Sequence, residues 1–229
     1  MDPIENEIKL NAQELNTGWT RSQKFYMRII KPVLDILFAT IGLVILSPLF
    51  LLISIAIKID SRGPVFFKQE RVGKDGRIFK VVKFRSMTLF TDTMNHLLKD
   101  KDRITGIGSI LRKTSMDEIP QLFNIAKGEM SFIGPRPLLA RYMPYYTERE
   151  NRRHLILPGI TGLAQVNGRN LLNWDDRLKI DIEYVENISI KKDLRILVLT
   201  VLKIINFEDV VVREENPMLD FDLERMKSG

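Results

Sequence analysis

The stretch ILFATIGLVILSPLFLLISIAI, from Ile36 to Ile57, decides the fold because its 22 consecutive residues carry no charge. At 1.5 Å per residue, a straight helix of that length spans roughly 33 Å, enough for a hydrocarbon core of about 30 Å. A soluble core helix, which is the alternative, rarely stays apolar on every face for so long. The position and length of the stretch, with no small-residue cleavage site after it, exclude a cleavable signal peptide. We therefore predict that this segment enters a membrane.

Two features argue against a simple spanning helix, which remains the alternative. Pro48 removes a backbone hydrogen bond and kinks a helix, and the hydroxyl of Ser47 can bond a carbonyl that the kink frees. The flanks also share one sign of charge, since a basic block follows the segment and four basic residues precede it, namely Arg21, Lys24, Arg28 and Lys31. The positive-inside rule then places both ends in the cytoplasm. We predict a helix that breaks at Ser47-Pro48 and enters and leaves through one leaflet.

The basic block covers residues 58 to 85, with nine basic side chains against three acidic ones. Its charge of +6 equals the net charge of the whole 229-residue chain, so the partner is expected to be anionic. Nucleic acid, a phosphorylated substrate and an anionic membrane surface are the three candidates, and the preceding segment favours the membrane. Within the block, alternating apolar and basic residues around the turn signal Lys74-Asp75-Gly76 predict a β-hairpin.

Composition excludes several kinds of site. The chain has no cysteine and two histidines, so thiolate nucleophiles, disulfides and His-rich metal sites are excluded. One of these histidines, His154, follows two arginines, and we expect it at the surface or at an interface.

The helical pattern over Asp92–Lys101 predicts a surface helix. The apolar stretch from Asp193 to Phe207 is short for a span and suits a core helix or an interfacial one.

An adjacent pair of carboxylates is the first candidate for chemistry. The stretch SMDEIPQLFNIA predicts a helix capped by Ser115, with Asp117 and Glu118 in the first turn. Carboxylates at that position can bind a cation or attack an electrophile. An ordinary acidic pair that complements the helix dipole is the alternative. The basic residue Arg112 just upstream favours the functional interpretation.

Two loops are the next candidates. In Gly134-Pro135-Arg136-Pro137, two prolines fix the backbone around one arginine, whose rigid guanidinium suits bidentate capture of phosphate; a solvated turn is the alternative. In PGITG, residues 158 to 162, glycines let the backbone approach a ligand, and a structural loop is the alternative. This spacing is neither a Walker A loop nor a dinucleotide fingerprint.

These features together suit an enzyme that joins a nucleotide-activated group to a lipid phosphate. A diphosphate needs its charge neutralised by a hard cation such as Mg²⁺ together with Lys and Arg. Asp181, on a predicted helix that follows Trp174, offers a further carboxylate for such a metal, with a solvated helix face as the alternative.

Four stretches of the chain resemble the bacterial sugar transferase family, in the order in which the family has them. They are KPVLDILFATIGLVILSPLF, GPVFFKQERVGKDGRIFKVVKFRSM, RKTSMDEIPQLFNIAKGEMSFIGPRPLL and PGITGLAQVNGRN. The resemblance covers about residues 25 to 206. It implies a small monotopic phosphoglycosyl transferase, and we expect the chain to be the minimal catalytic unit without an extra N-terminal membrane domain.

The resemblance implies that a sugar-1-phosphate moves from a UDP-sugar to undecaprenyl phosphate. Asp117 matches the nucleophile, which attacks the sugar-bearing β-phosphate, expels UMP and forms a phosphosugar-aspartyl intermediate that the acceptor phosphate then attacks. Glu118 would bind Mg²⁺ or assist proton transfer, and Arg136, between Pro135 and Pro137, would hold the donor phosphates or the uridine.

The remaining assignments also follow from the resemblance. Lys83 and Arg112 would be partners of the phosphates or of the carboxylate pair, and Asp181 would be an auxiliary metal carboxylate beside Asp117 and Glu118. The expected partners are a UDP-sugar, undecaprenyl phosphate, an anionic lipid bilayer and glycan-assembly enzymes, without nucleic acid. The sugar itself leaves no signature that the sequence shows.

The predicted fold is α+β and mainly helical, as a monotopic membrane protein on the cytoplasmic face of the bacterial cytoplasmic membrane. We divide it into a polar arm (1–24), a re-entrant membrane helix (25–58), a cytosolic catalytic domain containing the basic hairpin (59–207) and an acidic tail (208–229).

Two other functions stay open. A non-catalytic scaffold of a polysaccharide assembly complex would need neither the carboxylate pair nor GPRP, and a membrane-tethered nucleic-acid binder would show aromatic interleaving, which the basic block lacks.

Overall fold

The structure is a computed structural model that describes residues 18–88, 103–168, 172–205 and 220–228. Across these ranges the chain is mostly helical with two small two-stranded sheets, so the predicted α+β, mainly helical class is confirmed. The helix predicted at Asp92–Lys101, most of the polar arm and most of the acidic tail lie outside the described residues.

The elements of the described ranges are numbered in chain order. The helices are α1 (Arg21–Ile45, π-helical over Tyr26–Ile30), α2 (Ser47–Asp60), α3 (Gly106–Lys113), α4 (Leu122–Ala126), α5 (Glu148–Asn151), α6 (Leu163–Asn167), α7 (Trp174–Glu186), α8 (Ile190–Ile205) and α9 (Phe221–Ser228). The strands are β1 (Phe66–Val72), β2 (Ile78–Phe84), β3 (Ser131–Ile133) and β4 (Gly159–Thr161). Three 3₁₀ segments also matter below, and they are Met116–Gln121, Ala140–Tyr145 and Arg152–Leu155.

The apolar stretch forms α1 and α2, which meet at a bend of 62°. The hydroxyl of Ser47 donates to the carbonyl of Val44 at 2.8 Å, and Pro48 lies in the first turn of α2, where its missing N–H has no helical partner to lose. The predicted break at Ser47-Pro48 is therefore confirmed. No single helix among the described residues is long and apolar enough to cross a membrane, whereas this bent pair meets both criteria together.

The two helices bury only a narrow stripe each. Lys31, Asp35 and Ala39, four residues apart, form the inner stripe of α1, and Ile53 and Ile57 form that of α2. The side chains exposed on the other faces are large and apolar, and they include Val33, Leu37, Phe38, Val44, Ile45, Leu51, Leu52, Ile55 and Ile59. An exposed apolar surface of this extent marks an interaction surface rather than an ordinary face toward water.

A buried polar cluster fastens α1 to α7 and α8. The Nζ atom of Lys31 lies 2.7 Å from Oδ2 of Asp193 and 4.0 Å from Oδ2 of Asp35. The hydroxyls of Tyr26 and Tyr184 donate to the two oxygens of Asp193 at 2.8 and 2.7 Å. Because removing one partner would leave a buried charge uncompensated, this cluster fixes the bent helix pair against the rest of the chain.

The predicted basic β-hairpin is confirmed. Strands β1 and β2 pair antiparallel from Phe66 opposite Phe84 to Val72 opposite Ile78. The turn falls at Lys74–Gly76, and Asp75 and Gly76 take positive φ angles of 55° and 73° there. Inward-facing residues of β2 join α1, α4 and the segment before β3 in one core cluster of Ala39, Phe79, Val81, Leu122, Ile125 and Met130.

Two glycine-rich loops pack backbone to backbone beside the short parallel pair β3 and β4. The amide of Gly134 donates to Thr161 at 2.9 Å, and the amide of Gly159 donates to the carbonyl of Pro135 at 3.0 Å. A Cβ added to Gly159 would lie 2.1 Å from the nitrogen of Gly134. The glycines of PGITG therefore let two loops approach each other, which is the structural alternative named above.

The C-terminal helix α9 docks on the rest of the chain through one aromatic anchor. Phe221 is fully buried, with ring centroids 5.6 Å from Tyr142, 5.1 Å from Tyr146 and 5.3 Å from Trp174. Arg225 then forms ion pairs with acidic residues of α5 and α7. The end of the acidic tail is thus part of the folded chain.

We predict that Phe221→Ala destabilises the detergent-solubilised protein, because removing a buried aromatic side chain costs about 3 to 5 kcal/mol. For a chain of this size the melting temperature should fall by about 6 °C or more. Leu223→Ala on the same helix is the control, since Leu223 is 46% exposed and should shift the melting temperature little. Equal melting temperatures for the two variants would show that α9 is not docked through Phe221.

Candidate active site

A cavity of about 590 Å³ opens between the hairpin, the 3₁₀ segment Met116–Gln121, the GPRP loop and helices α7 and α8. It is lined by six residues that the sequence predicted for the site, namely Lys83, Arg112, Asp117, Glu118, Arg136 and Asp181. The lining also has an apolar part, which includes Leu46 at the bend between α1 and α2 and Ile204 on α8. A charged region and an apolar region therefore share one cavity.

Glu118 is held by two cations at the cavity. Its Oε1 atom lies 2.6 Å from Nζ of Lys83 on β2 and 2.7 Å from Nη2 of Arg136 in the GPRP loop. Burial alone would raise the pKa of Glu118, but Arg136 and Lys83 hold it far below its ordinary range. Glu118 in turn raises the pKa of Arg136. Each of Glu118 and Arg136 therefore stabilises the charged form of the other.

Asp117 differs from its neighbour because none of the described side chains forms a hydrogen bond or close ion pair with it. Burial raises the pKa of Asp117 and Glu118 adds to the rise, while Lys83, Arg112 and Arg136 oppose it. The carboxylate thus faces the cavity beside cations without being tied to one of them. A carboxylate in this position is available to a ligand.

The backbone around the pair corrects one prediction. Asp117 and Glu118 lie in the 3₁₀ segment Met116–Gln121, with α4 directly after it, so a helical start at this point is confirmed. Ser115 makes no side-chain cap bond and takes a left-handed φ of 56°, so its prediction as N-cap is wrong. An N-cap needs extended dihedrals, whereas the tight reversal after α3 forces Ser115 into the left-handed region. Such conformations cost about 1 to 3 kcal/mol and cluster at functional sites.

The other predicted residues surround this pair. Arg112, on α3, donates from Nε to the hydroxyl of Ser86 at 3.1 Å, which holds its guanidinium at the cavity edge. Pro135 and Pro137 are buried and flank Arg136, which remains partly exposed. The structure therefore brings the carboxylate pair, the hairpin lysine and both arginines into one site.

Asp181 lines the cavity but does not join the carboxylate pair in a metal cluster. Its side chain is 3% exposed, and its Oδ2 atom lies 2.8 Å from Nη2 of Arg153. The described residues contain no group of three or more His, Cys, Asp or Glu that could hold a metal ion. The carboxylate of Asp181 is already paired with Arg153. The expected metal site of Asp117, Glu118 and Asp181 is therefore not assembled.

Sequence reasoning missed several residues in or next to the site. Arg153 and His154 are 2% and 4% exposed, so the expectation that His154 lies at a surface or interface is wrong. They lie in the 3₁₀ segment Arg152–Leu155, which packs on α7. The apolar residues directly after them in the sequence were the signal that this segment is buried. Arg177 and Gln165 also line the cavity. Arg177 stands four residues before Asp181 on α7, a helical spacing that indicates a shared face.

Comparison with known proteins identifies the family of the chain. The profile of the family described as "Bacterial sugar transferase" matches residues 26–207. The chain is 46% identical over 183 residues to "Uncharacterized sugar transferase EpsL" of Bacillus subtilis (strain 168), covering 80% of this chain and 90% of that protein. It is 37% identical over 190 residues to "Exopolysaccharide production protein ExoY" of Sinorhizobium fredii (strain NBRC 101917 / NGR234), covering 76% of this chain and 84% of that protein.

A longer relative has a more specific name. The chain is 41% identical over 191 residues to the "UDP-glucose:undecaprenyl-phosphate glucose-1-phosphate transferase" of Xanthomonas campestris pv. campestris. The match covers 79% of this chain and 40% of that protein, so the chain spans less than half of the relative's length. The match to the family profile extends over most of the chain and includes every residue of the cavity named above. The chain belongs to the bacterial sugar transferase family.

Proposed function

We propose that the chain is a membrane phosphoglycosyl transferase that moves a sugar-1-phosphate from a UDP-sugar to undecaprenyl phosphate. The observation that carries the proposal is the contrast between Asp117, without a bonded partner among the described side chains, and Glu118, paired with two cations. The name of the Xanthomonas relative supports both substrate classes, and that of the Sinorhizobium relative supports exopolysaccharide production as the setting.

In the proposed reaction a carboxylate oxygen of Asp117 attacks the β-phosphorus of the donor, which bears the sugar. The bond between this phosphorus and the oxygen bridging to the α-phosphorus breaks, and UMP leaves with the electron pair. A phosphate oxygen of undecaprenyl phosphate then attacks the phosphosugar-aspartyl intermediate and releases the carboxylate of Asp117. Two displacements replace one difficult step, which is the advantage of a covalent intermediate.

The cations around Asp117 supply the electrostatic part of this proposal. Lys83, Arg112 and Arg136 line the cavity and would offset the charge of the diphosphate and of the transferred phosphate. Glu118 contributes by fixing two of these cations through its Oε1 atom. Because the groups are held before substrate arrives, little reorganisation is needed when charge develops in the transition state.

The donor atoms present fit Mg²⁺, which we propose as the cofactor. Hard carboxylate and phosphate oxygens are the ligands that Mg²⁺ takes, often one or two carboxylates together with substrate phosphates. Asp117 makes no competing bond to a described side chain, and the pairing of Glu118 uses its Oε1 atom. When bound, the ion would neutralise diphosphate charge. Asp181 is engaged by Arg153 and is not needed for this set.

The membrane part of the proposal rests on the exposed apolar faces of α1 and α2 and on the 62° bend between them. A bent pair that dips into one leaflet would cover these faces with lipid and leave both ends on the cytoplasmic side, as in a monotopic protein. The anionic headgroups would then meet the basic hairpin. Leu46 and Ile204 in the cavity lining would lie toward the isoprenoid acceptor.

We predict that Asp117→Asn lowers UMP release from a UDP-sugar and undecaprenyl phosphate by roughly 10⁴-fold or more, since removal of a nucleophile can cost about 10⁶-fold in kcat. The assay uses detergent-purified protein and a panel of UDP-sugars, which also identifies the sugar. Asp75→Asn is the control, because Asp75 lies in the hairpin turn and Asn tolerates its positive φ. Turnover of Asp117→Asn near that of wild type would remove Asp117 as nucleophile.

Chelation tests the metal. EDTA should stop UMP release, and added Mg²⁺ should restore it, since without the cation Asp117 and the diphosphate repel each other. The same protein should keep its far-UV circular dichroism in EDTA, which separates loss of chemistry from loss of fold. Full activity without a divalent cation would contradict the proposed cofactor.

Topology is tested by cysteine labelling, which is clean because the natural chain has no cysteine. Leu15→Cys and Lys74→Cys place one thiol on each side of the bent pair. In intact cells neither should react with a membrane-impermeant maleimide, and both should react after permeabilisation, because both ends are proposed to be cytoplasmic. Labelling of Leu15→Cys alone from outside would show that the helix pair spans the membrane.

A further inference from the structure

The GPRP loop holds its backbone in an unusual way. Pro135 and Pro137 have no N–H to donate, so the loop cannot be fixed through the amides on either side of Arg136. Around Arg136 the backbone is held through carbonyls instead, including that of Leu138 directly after the loop. The carbonyl of Pro135 accepts from Gly159 at 3.0 Å, and that of Leu138 accepts from Val72 at 3.0 Å.

The carbonyl of Arg136 itself is held by a side chain. Nη2 of Arg153 donates to this carbonyl at 2.7 Å and to Oδ2 of Asp181 at 2.8 Å, and Nε of Arg153 reaches the same carboxylate at 3.3 Å. Arg153 thus links α7 to the residue whose guanidinium binds Glu118. The link is a chain of direct contacts from Asp181 through Arg153 and Arg136 to Glu118.

The ion pair between Arg153 and Asp181 is buried, and burying two charges costs free energy. We therefore look for a role of this pair other than stabilising the fold. The side chains of Arg153 and Asp181 are 1% and 3% exposed. Taking two charges out of water costs about as much as their attraction returns, so a buried pair by itself is weak evidence for stabilisation. The guanidinium also lies over the ring of Tyr146, 5.9 Å from its centroid, which further limits its orientation.

We propose that Arg153 and Asp181 are a positioning pair that fixes the backbone of Arg136, and so sets where the Arg136 guanidinium meets the donor diphosphate. The inference rests on the proposed function and names residues that act through Arg136 rather than on substrate. It also gives Asp181 a role other than metal binding. The planar guanidinium of Arg153 places both Nε and Nη2 on the Asp181 carboxylate while Nη2 also reaches the Arg136 carbonyl, a fixed geometry that a lysine ammonium does not impose.

The test is a double-mutant cycle on Arg153→Lys and Arg136→Lys, measured as kcat/KM for the UDP-sugar in the UMP-release assay. Arg153→Lys alone should lower kcat/KM about 10-fold or more, because misplacement of a binding group by about 1 Å can cost 100-fold. In the Arg136→Lys background the same change should have little further effect, since residues that act in one chain are not additive.

Arg152→Lys is the matched control. Arg152 precedes Arg153 and pairs with Glu186 at 2.7 Å. The substitution Arg152→Lys should leave kcat/KM near the wild-type value. Additive losses in the cycle would overturn the inference, because a merely structural residue lowers activity independently of Arg136. An inactive wild-type chain with every UDP-sugar would instead contradict the proposed function, so the two failures are distinct.

Asp181→Asn is the second variant. It has nearly the same shape as the native side chain, and its amide oxygen can still accept a hydrogen bond from Arg153. It should lower kcat/KM less than Arg153→Lys does and leave the Mg²⁺ concentration for half-maximal activity unchanged. A rise in that Mg²⁺ concentration of 10-fold or more would make Asp181 a metal ligand and overturn its assignment to the pair.

Discussion

One carboxylate oxygen, Oε1 of Glu118, joins the three segments from which the site is built. Lys83 reaches it from the hairpin and Arg136 from the GPRP loop, while Glu118 itself lies in the 3₁₀ segment before α4. Without this oxygen the two cations would repel each other with no anion between them. With it they stay in place, and the neighbouring Asp117 keeps a carboxylate without a bonded partner among the described side chains. The difference between two adjacent acidic residues thus comes from their partners rather than from their chemistry.

Much of this arrangement could be read from the sequence, because it depends on local patterns. A proline in an apolar run predicts a break at Ser47-Pro48, alternation around Lys74-Asp75-Gly76 predicts a hairpin, and two prolines around Arg136 predict a presented guanidinium. The link from Asp181 to Arg153 joins positions 28 residues apart, and neither neighbourhood indicates it. Two arginines before His154 suggested a surface or interfacial position, and only the packing of that segment on α7 reverses this. The cap predicted at Ser115 failed for a related reason, since the preceding helix dictates its dihedrals.

Helix α9 lies outside the match to the family profile, which ends at residue 207, but it contacts residues inside that match. Phe221 packs on Tyr142, Tyr146 and Trp174, which lie on the segment after the GPRP loop and at the start of α7. Tyr146 is also the ring that Arg153 lies over. The C-terminal helix therefore supports the same elements that hold Arg136, through packing rather than through any group of the cavity.

The central claim is that Asp117 carries the phosphosugar between the two displacements. Intact-protein and peptide mass spectrometry of the purified chain, incubated with a UDP-sugar in the absence of acceptor, tests it most directly. We predict a mass increase of one sugar phosphate, located at Asp117 and lost when undecaprenyl phosphate is added. Release of UMP without any adduct, or an adduct on another residue, would contradict it.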